Sequence, residues 1–204
     1  MAAPPPTLRL GFLASHGGSN LQAILDAIDA GTLPAQAAVV ICNNSTEAAL
    51  GRAAAKGIPA LHLSSKTHPD PDALDRAILA ALQENAVNLV VLAGYMKKLG
   101  PRTLAAYTRR VLNVHPALLP KYGGRGMYGM RVHTAVVAAK EKESGATVHL
   151  VTDEYDEGPA LAQARVPVLP GDTPEALAAR VLEQEHRLYP DVLRRIAIGE
   201  ITLP

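Results

Sequence analysis

Asn88-Leu89-Val90-Val91-Leu92-Ala93 is a nearly continuous apolar run. A strand with one wet face alternates polar and apolar residues, so a run apolar on both faces belongs inside a sheet covered on both sides. Upstream the same signature recurs at residues 8–13 and 37–42, with a weaker strand pattern at 60–63. Between these runs the apolar spacing is helical over residues 20–30, 46–56 (ended by Gly57) and 71–85. Alternating strands and helices predict an α/β fold, a mostly parallel twisted sheet with helices on both faces. Beyond Val114 the pattern changes. A glycine-rich loop leads to a helix over 132–142, and strands at 147–152 and 160–168 are close enough to pair antiparallel near the C-terminus. A final helix opens with Thr173 as N-cap and Pro174 at its first position, and Tyr189-Pro190 predicts an interruption or a kink.

The chain has 204 residues, 48% hydrophobic and 19% charged, which fits a soluble globular protein with an aliphatic core. The reading is a flexible Pro-rich tail over 1–7 and a single domain over 8–204. A net charge of +1 gives no electrostatic footprint for nucleic acid. No segment has the apolar length to cross a bilayer, and the N-terminus lacks the features of a secretory signal, so cytoplasmic residence is expected. The single Cys42 ends an apolar strand and reads as structural and reduced.

Chemistry concentrates in four places. In Asn113-Val114-His115-Pro116-Ala117-Leu118-Leu119-Pro120, period two puts Asn113 and His115 on one side of a strand end. An amide beside an imidazole suits stabilisation of charge on a carbonyl oxygen; a capping Asn and a satisfied loop His are the plain alternative. Ser15-His16-Gly17-Gly18-Ser19-Asn20 joins the first strand to the first helix and outlines an anion-binding loop, although any glycine-rich turn before a helix looks similar. Met96-Lys97-Lys98-Leu99, an exposed Met and Leu with two lysines, would suit a flat heterocycle with a carboxylated tail, or form an ordinary turn. The acidic stretch 152–159 is either a solvated hairpin or the source of a carboxylate that pairs with His115 and keeps it a proton donor. The histidines show no zinc-ligand spacing.

Taken in order, Gly18-Ser19-Asn20-Leu21-Gln22, Val91-Leu92-Ala93-Gly94-Tyr95-Met96, Leu112 through Tyr122, Thr147-Val148-His149, residues 152–159 and Gln184-Glu185-His186 resemble the phosphoribosylglycinamide formyltransferase family, part of the folate-dependent formyltransferase superfamily. The resemblance spans nearly the whole chain after the tail. It implies a Rossmann-like formyltransferase fold and transfer of a formyl group from the co-substrate 10-formyltetrahydrofolate to the amine of glycinamide ribonucleotide in purine biosynthesis, with no metal required. By match to the family motif, Asn113, His115 and Asp156 are the catalytic set. Gly18, Ser19 and Asn20 hold the nucleotide phosphate, and Glu185 meets the nucleotide's ribose or phosphate end. Met96, Lys97, Lys98 and Leu99, with Asn113, Thr152 and Asp153, line the folate site. Glu185 also falls on the apolar stripe of Ala178, Val181, Leu182 and Tyr189, where a carboxylate is costly unless it faces a polar ligand. Two departures stand out: a long glycine-rich loop from Gly123 to Arg131, read as a mobile cover, and Asp70-Pro71-Asp72 where a folate-contacting arginine is often found.

Neither nucleic acid nor membrane is expected as a partner, and monomer and homodimer stay open. Methionyl-tRNA formyltransferase shares the catalytic block but needs an extra basic domain; formyltetrahydrofolate hydrolase, which normally carries a preceding regulatory domain, stays the alternative, as does a non-catalytic module. A non-catalytic nucleotide-binding module would not need Asn113, His115 and Asp156 together.

Overall fold

A computed structural model describes residues 7–203; residues 1–6, which make up most of the expected tail, and Pro204 lie outside it. The chain folds as β1 (Leu8–Ala14), α1 (Ser19–Asp29), β2 (Ala35–Cys42), α2 (Ala48–Ala55), β3 (Ala60–His62), α3 (Pro71–Glu84) and β4 (Leu89–Leu92). It continues through α4 (Pro101–Ala106), β5 (Val111–His115), α5 (Met130–Ala138), β6 (Glu143–Leu150), β7 (Ala160–Pro167) and α6 (Pro174–Ala197). The seven strands form one sheet in the order β3-β2-β1-β4-β5-β6-β7. Pairing is parallel from β3 to β5, and β6 and β7 add antiparallel. After β3 the chain returns to the far side of β1, so strand order reverses between β1 and β4, where open α/β sheets place ligands beyond the strand carboxyl ends.

All of β4 is buried, as its two-faced apolar sequence requires. Its residues alternate between two apolar layers. Leu89 and Val91 join the layer beneath α1 and α6, while Val90 and Leu92 join the layer beneath α3.

Several boundaries differ from the sequence reading, each for a local reason. α5 stops at Ala138 rather than 142, and two residues on Lys140 takes φ 54°, which turns the chain out of the helix. β6 covers 143–150 rather than 147–152, because Glu143, Ser144 and Gly145 pair with Pro167, Val166 and Arg165 of β7 despite their polar sequence. α2 occupies 48–55 rather than 46–56. The sequence reading lacked α4; buried Asp75 of α3 caps it by accepting from the Arg102 and Thr103 amides at 2.8 and 3.1 Å.

Pro190 does not interrupt α6, which runs unbroken through it. A helix-interior proline costs about 3 kcal/mol. Opposing this, Tyr189, Val192 and Leu193 are fully buried around it, each worth roughly 1.5–3 kcal/mol. The Tyr189 hydroxyl also reaches the carbonyls of Leu112 at 2.9 Å and Leu92 at 3.3 Å, anchoring the helix to the two central strands that lead into the site. Among the described residues no helix is long and apolar enough to cross a membrane.

Candidate active site

A cavity of about 640 Å³ opens beyond the ends of β4 and β5 and is walled by the loop after β4, the glycine-rich loop, the 152–156 segment and α6. That is ample for a drug-sized ligand.

At its floor, β5 alternates Leu112 and Val114 into one core layer and turns Asn113 and His115 toward the cavity. His115 is buried, with Nδ1 3.5 Å from Asp156 Oδ2. Its Nε2 lies 2.8 Å from the Tyr122 carbonyl, to which it donates. Both ring nitrogens therefore face acceptors. The pairing with an acidic-loop carboxylate is the expected one, but the second N–H is turned onto the glycine-rich loop rather than into open cavity. Asp156 sits at φ 58°, in the left-handed region, and its Oδ2 also accepts from the Gly124 amide at 3.0 Å. The acidic loop and the start of the glycine-rich loop thus meet at the His115–Asp156 pair.

His149 is a residue whose role the sequence reading missed. In the antiparallel register it lies directly opposite Asn113. Its Nδ1 donates to the Leu150 carbonyl at 2.9 Å, which leaves Nε2 as the acceptor for Asn113 Nδ2 at 3.1 Å. Burial holds the imidazole below its ordinary pKa, keeping it neutral for that task. Thr147, opposite His115, acts on the loop below: its hydroxyl donates to Ala117 O at 2.6 Å and accepts from Leu119 N at 3.1 Å. The signal for both was the register of an antiparallel pair, which becomes readable only once β5 and β6 are aligned. His133, in the first turn of α5, also lines the cavity; its Nδ1 is buried without a partner, and burial followed by the nearby His115 charge lowers its pKa.

At the other end, Glu185 is only 7% exposed and accepts from Asn20 Nδ2 at 2.7 Å. Burial pushes its carboxyl up to about 7, against the stabilising Asn20 bond. The buried Asn20 Oδ1 has no partner, and both side chains line the cavity. Gly18 and Ser19 stand just outside the lining, where Gly18 takes φ 70° as the N-cap of α1 without a side-chain cap.

Met96, Lys97, Lys98 and Leu99 form one rim, and Thr152 and Asp153 the facing one. Leu99 is buried rather than exposed, because it packs with Leu92 and Tyr107 in the layer beneath α3; Met96 is the exposed member. Lys98 Nζ lies 5.7 Å from the Tyr155 ring centroid across the rim, within cation–π range. Asp70 does not reach the cavity; it caps α3, and Asp72 bonds Arg76 and Arg102. Residues 124–131 of the glycine-rich loop do line it.

This arrangement joins an anion-suited helix start, a charge-stabilising pair and an apolar rim with lysines. A formyl transferase family model matches residues 8–193. Phosphoribosylglycinamide formyltransferase of Haemophilus influenzae is 40% identical over 195 residues, covering 96% of this chain and 90% of that protein. The chloroplastic enzyme of Vigna unguiculata is 41% identical over 92% of this chain, which spans only 60% of its length. Glycinamide ribonucleotide transformylase 1 from Symbiobacterium toebii superposes with a TM-score of 0.90 at 41% identity, covering 97% of this chain and 91% of that one. The chain belongs to the formyl transferase family, within its phosphoribosylglycinamide formyltransferase branch.

Proposed function

We propose that this protein transfers the formyl group of 10-formyltetrahydrofolate to the amine of glycinamide ribonucleotide, giving formylglycinamide ribonucleotide and tetrahydrofolate in purine biosynthesis. The observation that carries the reading is the His115–Asp156 pair beside Asn113, at the floor of a cavity flanked by the Asn20–Glu185 pair and the Lys97–Lys98 rim.

Attack of the amine nitrogen on the formyl carbon forms a C–N bond and places negative charge on the formyl oxygen. Asn113 and His115 stabilise that charge, each such donor being worth on the order of 3 kcal/mol. For His115 to donate, its Nε2–H exchanges the Tyr122 carbonyl for the formyl oxygen, which couples the step to movement of the glycine-rich loop. Asp156, 3.5 Å from Nδ1, orients the His115 ring and, directly or through a water, takes the proton lost by the attacking amine. Collapse breaks the bond to folate N10, which leaves protonated. Gly18, Ser19 and Asn20 hold the phosphate and Glu185 the ribose or phosphate end. Met96, Lys97, Lys98, Leu99, Thr152 and Asp153 hold the folate. A single catalytic domain over 8–204 and cytoplasmic residence belong to the same reading.

The test is loss of the formyl group from 10-formyltetrahydrofolate with and without glycinamide ribonucleotide. Acceptor-dependent loss supports transfer. Loss that needs no acceptor assigns a hydrolase instead, and no loss under either condition removes the activity.

A further inference from the structure

Arg52, in the last turn of α2, crosses to the loop between β1 and α1, a contact no sequence motif announced. Its Nε donates to the Gly17 carbonyl at 2.8 Å and its Nη1 to Gln22 Oε1, in the first turns of α1, at 2.6 Å. One planar guanidinium thus grips the loop and the helix it leads into at the same time, which a lysine's single ammonium cannot reproduce.

The consequence lies in peptide geometry. The Gly17 carbonyl and the Gly18 N–H share one trans peptide plane and point in opposite directions. By drawing the carbonyl back onto α2, Arg52 turns the Gly18 N–H the other way, outward from α2. Gly18 continues at φ 70° and its carbonyl accepts from Gln22 N at 2.9 Å, so the next amides start α1 with no side-chain cap occupying them. The packing there is tight: a Cβ on Gly18 would lie 3.1 Å from the Ala49 Cβ of α2. An independent sign that a ligand meets this helix start is Asn20, whose Oδ1 is buried without a partner on the cavity wall.

We propose that Arg52 is a positioning residue for the nucleotide site: it sets the Gly17–Gly18 peptide so that the loop amides face the substrate phosphate, and it adds a fixed positive charge behind them. The inference rests on the proposed function and deepens it, by assigning recognition of the phosphate dianion to a residue on α2.

The test compares wild type, Arg52→Met, Arg52→Lys and Gln22→Ala in the formyl-transfer assay, with inorganic phosphate as competitor of the nucleotide. Arg52→Met is expected to raise KM for glycinamide ribonucleotide at least about tenfold and to weaken phosphate inhibition by a similar factor, while folate KM and kcat change less than about twofold. Arg52→Lys keeps charge without the double grip and falls between Met and wild type. Gln22→Ala, which leaves the Gly17 contact, shifts nucleotide KM less than about threefold. Should the methionine variant fail to fold, the lysine variant with native circular dichroism carries the comparison. Unchanged nucleotide KM and phosphate inhibition, or parallel rises in both KM values with a fall in kcat, would overturn the positioning role. A wild-type protein that does not use glycinamide ribonucleotide overturns the proposed function instead, which keeps the two failures apart.

Discussion

Asp156 Oδ2 lies 3.5 Å from His115 Nδ1 and 3.0 Å from the Gly124 amide, so one carboxylate oxygen joins the end of β5 to the glycine-rich loop. Asp156, the member of the acidic stretch that makes both contacts, takes positive φ, 58°.

His115→Ala and Asp156→Asn are each expected to lower kcat by roughly a hundredfold or more with smaller changes in either KM, because both groups act mainly on charge that develops in the transition state. Steady-state kinetics decide it. Near-wild-type turnover in either variant removes that residue from the mechanism.

The buried His149 bonded to Asn113 predicts a smaller effect of the same kind. His149→Ala releases the amide to rotate, and kcat is expected to fall about tenfold, with little further loss when Asn113→Ala is added. Independent, multiplying losses in the double variant would show that the two side chains do not act as a unit.

Glu185 makes one contribution to stability that falls as pH rises. Its carboxyl is pushed up to about 7 in the folded protein, above the ordinary value of 4.5, so the folded state holds the proton more tightly than the unfolded state. Stability from this group is fully present below about pH 4.5 and is lost as pH rises through about 7, by up to about 3 kcal/mol. Glu185→Gln, which can still accept from Asn20, is expected to flatten the decline in melting temperature between those pH values. An identical pH profile in the variant would mean that Glu185 does not titrate in that window.

Limited proteolysis addresses the glycine-rich loop. Residues 124–131 line the cavity while Tyr128 and Met130 stay largely exposed. Cleavage between Gly123 and Arg131 is expected to slow when glycinamide ribonucleotide and a non-reactive folate analogue are both bound, as for a cover that closes on its ligands. An unchanged cleavage rate would leave the segment a surface connection.

The two-faced apolar β4 and the alternation around it were enough to read the parallel sheet, whereas the Asn113-x-His115 spacing alone left a capping Asn and a satisfied His open, and it took the resemblance across distant segments to single it out. What sequence periodicity could not carry was set by pairing between distant segments. The polar start of β6 became strand only through its partners on β7, and Pro190 was absorbed because Tyr189 anchors to β4 and β5. Leu99 read as exposed because its neighbours are lysines, yet it packs into the core beneath α3. The role of His149, which stood only among the segments of the resemblance, and that of Arg52 were unreadable for the same reason: each acts across the fold, on Asn113 and on Gly17, at separations no local motif encodes.

Direct transfer of the formyl group at the Asn113–His115–Asp156 floor can be watched by following a 13C-labelled formyl carbon by NMR. The protein is incubated with labelled 10-formyltetrahydrofolate and glycinamide ribonucleotide, with the Asp156→Asn variant in parallel. Wild type is expected to move the label onto the glycinamide nitrogen without free formate, and the variant to move it roughly a hundredfold more slowly. Label accumulating as formate in the presence of the amine, or equal transfer by the variant, would contradict it.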